Sequence, residues 1–151
     1  MDWTFLGANA PFSAKLTLLI ELAMGIALAM GAWLARRRLY RPHAFCQSVV
    51  VLLNLAVIGV AMVSSFQVQV APRIPARLAR SFYALATAHA LLASVTEMAA
   101  VYVLLAAGTR ILPEWLRFSD FKRVMRGVLL LWWVSLSFGV TTYQRWYAFW
   151  R

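Results

Sequence analysis

The stretch SFYALATAHALLASVTEMAAVYVLLAA, residues 81–107, constrains the fold more than any other part of the chain. Its length and apolarity suit a helix that crosses a bilayer, yet it carries His89 and Glu97 inside the run. At about 1.5 Å per residue it reaches roughly 40 Å, enough for a hydrocarbon core of about 30 Å with some tilt. A water-soluble fold would have to surround such a helix on every side, and a chain of 151 residues is too short to do so.

Composition points the same way. Hydrophobic residues make up 63% of the chain and mean hydropathy is +0.72, whereas soluble domains are about half apolar. The formal charge of +10 falls between and beside the apolar runs, so it is expected to meet lipid headgroups. No polar domain is visible that could present it to nucleic acid. Cys46 is the single cysteine, which excludes an internal disulfide and a thiolate metal cluster. The opening MDWTFLGANAPFSAK lacks the basic start, short apolar core and cleavage pattern of a secretory signal, so insertion is expected to use the first retained span.

Four apolar runs, at about 13–35, 44–66, 82–107 and 124–146, predict an all-α fold, an integral membrane four-helix bundle forming one domain. All five prolines lie outside these runs, with Pro42 placed to start the second helix and Ser13 a candidate cap for the first. Gly25 and Ala29 have the small-x-x-x-small spacing that lets a neighbouring helix approach. Residues 67–80 are expected to form an extramembrane loop, with either a short amphipathic piece around Ile74 and Leu78 or no regular structure.

Nine of the 15 basic residues (Arg36, Arg37, Arg38, Arg41, Arg110, Arg117, Lys122, Arg123 and Arg126) lie in the first and third connections. The other six lie on the opposite side, a bias that places both termini on the outer, periplasmic face of a bacterial inner membrane.

The polar residues inside the spans are the candidate functional groups. Glu21, Asn54 and Glu97 are expected to make intramembrane contacts, since an amide or carboxyl in hydrocarbon needs a partner, water or, for the acid, its neutral form. His89, Ala93, Thr96, Glu97 and Ala100 share one face of the third span, so His89 and Glu97 can point into the same bundle. His89, and after it His43, are the candidate cofactor ligands, for haem, copper or bacteriochlorophyll. They lie roughly 20–25 Å apart along the membrane normal, too far to share one ion, which leaves a different chain, Met62 or nothing as the second ligand of each. No metal site is assigned. Trp132, Trp133, Trp146 and Trp150 are expected to anchor the protein at an interface or to contact a pigment or haem ring. No nucleophilic triad, paired-histidine motif or phosphate loop is present, so no catalytic residue is assigned and independent catalysis is not expected.

The basic stop followed by RPHAFCQSVVVLLNL, the run FYALATAHALLASV and the final WWVSLSFGVTTYQRWY are similar to a small bacterial four-helix membrane family catalogued as domain of unknown function 420. In that resemblance His43 and His89 match histidines at the start of the second helix and early in the third. The family's further histidines, near the end of the second helix and before the fourth, are replaced here by the neighbourhoods of Met62 to Ser65 and Ser119 to Lys122. The resemblance implies a four-helix membrane fold and proximity to cytochrome oxidase assembly. The function expected first is a non-catalytic accessory subunit or assembly factor of a respiratory or photosynthetic electron-transfer complex, in contact with lipids and other integral subunits. The alternatives are a haem-, copper- or pigment-binding membrane protein using His89 and His43, and a small proton-conducting oligomer using Glu21 and Glu97.

Overall fold

A computed structural model describes residues 10–109, 111–117 and 120–147. Helix α1 spans Phe12–Arg36 and α2 spans Tyr40–Val57. The second rod then continues through a π-helical turn, Ile58–Met62, into α3, Val63–Gln69. A 3₁₀ turn, Ala71–Arg73, and the short α4, Ile74–Arg77, lead to α5, Ser81–Gly108. A second 3₁₀ turn, Glu114–Leu116, precedes α6, Phe121–Tyr147. Among the described residues there is no strand, so the fold is all-α.

Four of these stretches, Phe12–Arg36, Tyr40–Arg73, Phe82–Gly108 and Phe121–Tyr147, are long and apolar enough to cross a membrane. Their outer faces carry large apolar side chains in the open. Val60 is 79% exposed, Met98 74% and Ile26 71%. A protein surrounded by water does not present such faces on every helix, whereas lipid tails accept them. The chain is therefore a multi-span membrane protein built as a four-helix bundle.

The hairpins α1–α2 and α5–α6 are the closest pairs, and they join through α1 against α6 and α2 against α5, closing a ring of four helices. Small residues set the crossings. A side chain at Gly25 would come within 2.9 Å of Leu136 Cδ2 on α6, and one at Gly31 would run into Gln47 of α2. On the same α1–α2 seam His43 Nδ1 lies 2.8 Å from the Gly31 carbonyl and Cys46 Sγ donates to the Ala27 carbonyl at 3.4 Å. Since a carbonyl can only accept, His43 Nδ1 carries the proton there.

The helix ends differ in part from expectation. Pro11, not Ser13, occupies the cap position of α1, and Ser13 instead offers its carbonyl to Thr17 Oγ1 at 3.0 Å. Pro42 is the third residue of α2, where its missing N–H costs nothing because the first four amides have no intrahelical acceptor. Residues 67–80 are largely helical, and Arg73 Nη1 donates to the Tyr83 hydroxyl at 3.1 Å. Val70, Tyr83 and Ala86 form a small core there, with Phe66, Phe82 and Trp146 packed against it.

The α1–α2 turn closes with a paired hydrogen bond, Arg38 N to Ala35 O and Leu39 N to Leu34 O, both 3.0 Å. This motif puts its penultimate residue in the left-handed region, usually a glycine. Here it is Arg38, with φ of 61°, at a backbone cost of roughly 1–2 kcal/mol.

Candidate functional site

The site lies where α5 faces α2 and α6. Asn54 Nδ2 donates to Glu97 Oε2 at 2.8 Å, joining the middle of α2 to the middle of α5. Both side chains are buried, and Glu97 is only 5% exposed. In hydrocarbon this bond removes two polar groups from lipid at once, which is the reason for such a pair at mid-depth. The second carboxylate oxygen, Glu97 Oε1, is buried without a hydrogen-bond partner. Glu21 of α1 stands within Coulombic reach of Glu97, and its Oε1 is also buried and unpartnered. Thr96, next to Glu97, satisfies its hydroxyl on the Leu92 carbonyl at 2.7 Å.

Beside this pair is a cavity of about 1010 Å³, bounded by the start of α1, the π turn and α3, the start of α5 and the end of α6. Glu21, Asn54, Met62, His89, Thr96 and Ser135 contribute its polar and sulfur-bearing wall. The rest is mostly apolar, as in sites that enclose a small molecule and orient it by a few polar groups. Its volume stands at the top of the range of about 300–1,000 Å³ common for such sites.

His89 is held on this wall by α6. Its ring lies against Gly139: a β-carbon there would be 2.9 Å from His89 Cε1 and 3.4 Å from Nε2. The Ser135 backbone, one turn earlier on α6, stands near the ring. Ser135 and Gly139 thus form a small-residue notch that admits an imidazole. His89 Nδ1, by contrast, is buried with no hydrogen-bond partner. A buried imidazole nitrogen left without a partner on a cavity wall is available for coordination or for hydrogen bonding to a guest.

No family model, no curated protein and no solved structure matches the chain. The site therefore has to be read from its own chemistry.

Of the residues singled out in the sequence, Glu21, Asn54, Glu97 and His89 come together around one cavity and its edge. His43 does not join them; it lines a different cavity at the opposite end of the bundle. Among the described residues no three of His, Cys, Asp and Glu are grouped so as to hold a metal ion. Trp132 is 4% exposed and packs in the core with Met24, Leu28, Val50, Val51 and Ala100, away from any surface. The geometry of α6 explains this: Trp132 is on the face that also carries Ser135 and Leu136, whereas Trp133 turns outward and is exposed. Trp146 packs on Phe82 with ring centroids 4.1 Å apart, pinning the end of α6 to the start of α5. Trp150 lies outside the described residues.

Sequence reasoning missed Ser135 and Gly139 as the seat of His89, and the π turn that brings Met62 to the cavity. The spacing of Ser135 and Gly139 is the same small-x-x-x-small signal read at Gly25 and Ala29, and it was available in the run SLSFG within α6. In the apolar run 49–63 the local mark of the π turn is Gly59, an isolated helical glycine that does not by itself specify this geometry; such turns are frequent at functional sites.

Proposed function

We propose that this protein is a non-catalytic integral membrane accessory subunit or assembly factor of a respiratory or photosynthetic electron-transfer complex in a bacterial inner membrane. Its part is to hold a cofactor-sized ring, of the haem or chlorophyll class, between its helices. The observation that carries this is His89: its Nδ1 is buried and unpartnered on the wall of a cavity of about 1010 Å³, with Glu21, Asn54 and Met62 on the same wall. A polar network whose only task is to fix the bundle satisfies its buried atoms, because each one left alone in hydrocarbon is costly. Here two such atoms, on Glu21 and His89, belong to residues lining one cavity, and a third is on Glu97, bonded to the cavity-lining Asn54.

The donor set fits a ring group better than a bare ion. One imidazole and one thioether, His89 and Met62, line the same cavity, and these are the donor types of histidine–methionine haem proteins. Among the described residues no three of His, Cys, Asp and Glu are grouped as a ligand set for a bare ion.

The protein extracted from its own membrane in a mild detergent is expected to copurify with other integral subunits and to carry an absorption band of a ring cofactor. Substituting His89→Leu is expected to remove the band while leaving the helical content intact. A purified protein that migrates alone and has no absorbance beyond its aromatic residues would overturn the proposal.

A further inference from the structure

The opposite end of the bundle holds a second cavity, of about 870 Å³, where the end of α1, the start of α2, the end of α5 and the start of α6 converge. Its body is apolar, formed by Leu28, Val51, Leu104, Val128 and Leu129 around Trp132. Its polar rim contains Arg36, Arg38, Lys122 and Arg126. Among the described residues no aspartate or glutamate lines it, and the neighbouring acid, Asp120, is engaged with Arg123 at 3.3 Å.

We propose that this cavity binds one anionic lipid, its phosphate among Arg36, Arg38, Lys122 and Arg126 and an acyl chain between the helices. Basic residues beside membrane helices ordinarily fringe the outside of a bundle and meet whatever headgroups pass. These four come from two separate hairpins and surround an opening into an apolar space, so charge and hydrocarbon are matched in one place. The backbone adds an independent sign. Arg38 holds a left-handed conformation in which glycine is favoured, so the turn forgoes its easiest residue and gains a guanidinium at the mouth of the cavity. A phosphate suits these cations, and the apolar body excludes a free anion as the whole ligand.

The test uses the full chain in a nonionic detergent, with lipid binding read by native mass spectrometry. Phosphatidylglycerol, phosphatidylcholine and glycerol phosphate are compared as probes. One phosphatidylglycerol per chain is expected, bound roughly tenfold or more tightly than phosphatidylcholine, with no retained glycerol phosphate. Arg38→Gly is expected to weaken phosphatidylglycerol binding several-fold while raising the unfolding temperature, so that the loss cannot come from misfolding. Val103→Phe, which fills the cavity wall and leaves the four cations in place, is expected to abolish the bound lipid. Arg145→Gln, at the other end of α6, is expected to leave it unchanged. Equal retention of the two lipids, or undiminished phosphatidylglycerol binding in Val103→Phe, would overturn the proposal, as would glycerol phosphate binding as well as the lipid.

Discussion

The two ends of this bundle are built from the same four helices, yet they enclose opposite chemistries. One cavity places Glu21, Asn54 and His89 in an apolar wall and leaves buried polar atoms without partners. The other has an apolar body with a basic rim and, among the described residues, no acidic lining residue. Trp132 lines both, and the layer containing Met24, Leu28, Val50, Val51, Ala100 and Trp132 packs between them. The comparison teaches that depth, more than residue type, separates the two histidines. His43 spends Nδ1 on the Gly31 carbonyl and serves the α1–α2 seam, while His89 keeps Nδ1 free.

If the two ends work separately, substitutions can damage one and spare the other. The largest expected effect is on occupancy. His89→Leu should remove the ring cofactor entirely, seen as loss of its absorption band, and should leave phosphatidylglycerol binding at the opposite end unchanged. Loss of both together would show that the cavities are not independent.

Next in size is the dividing layer. Asn54→Leu leaves both oxygens of Glu97 unpartnered and is expected to lower stability by about 1–3 kcal/mol. The double variant Asn54→Leu with Glu97→Leu removes both polar groups and should recover most of that loss. Reversible unfolding in mixed micelles measures it, and a double variant no more stable than the single one would contradict the account of this bond.

The two glycine seats of α1 and α6 give a sharper contrast. Gly139→Ala drives a β-carbon against the His89 ring, which is rigid, and is expected to cost about 1–3 kcal/mol and to shift any His89-dependent spectrum. Gly25→Ala is tight against a terminal methyl of Leu136, which can rotate away, and meets the Trp133 ring at an ordinary 3.7 Å, so a cost below about 1 kcal/mol is expected. Comparable losses at the two positions would mean that His89 is not seated as described.

The smallest expected change is a gain. Arg38→Gly relieves the left-handed arginine and should stabilise the fold by about 1 kcal/mol, measured by thermal unfolding in detergent. It should do so while weakening lipid binding, a trade of stability against function.

The fold was legible because hydrocarbon length imposes itself on sequence: four apolar runs bounded by charge and proline leave little freedom in helix number. The mid-depth polar residues were equally visible, since Asn54 interrupts VVVLLNLAVIGVAMV and Glu97 interrupts the third run. Their company was harder to read. Whether a tryptophan in a WW pair faces lipid or core depends on the rotation of α6, which the apolar composition of both faces conceals, and so Trp132 gave no sign of its burial. The left-handed Arg38 is a backbone event with no glycine to mark it, and the π turn at Ile58–Met62 contains Gly59, which loosens a helix without specifying which kind of turn follows. The cavities come from where side chains are short on facing helices, a property of pairs of helices that one chain of letters does not display.

The most direct test is native mass spectrometry of the full chain released from its own membrane, with wild type, His89→Leu and Arg38→Gly compared. Two bound species are predicted for the wild type, a ring cofactor missing only from His89→Leu and an anionic lipid reduced only in Arg38→Gly. A single species lost equally in both variants, or none in the wild type, would contradict a bundle with two separate sites.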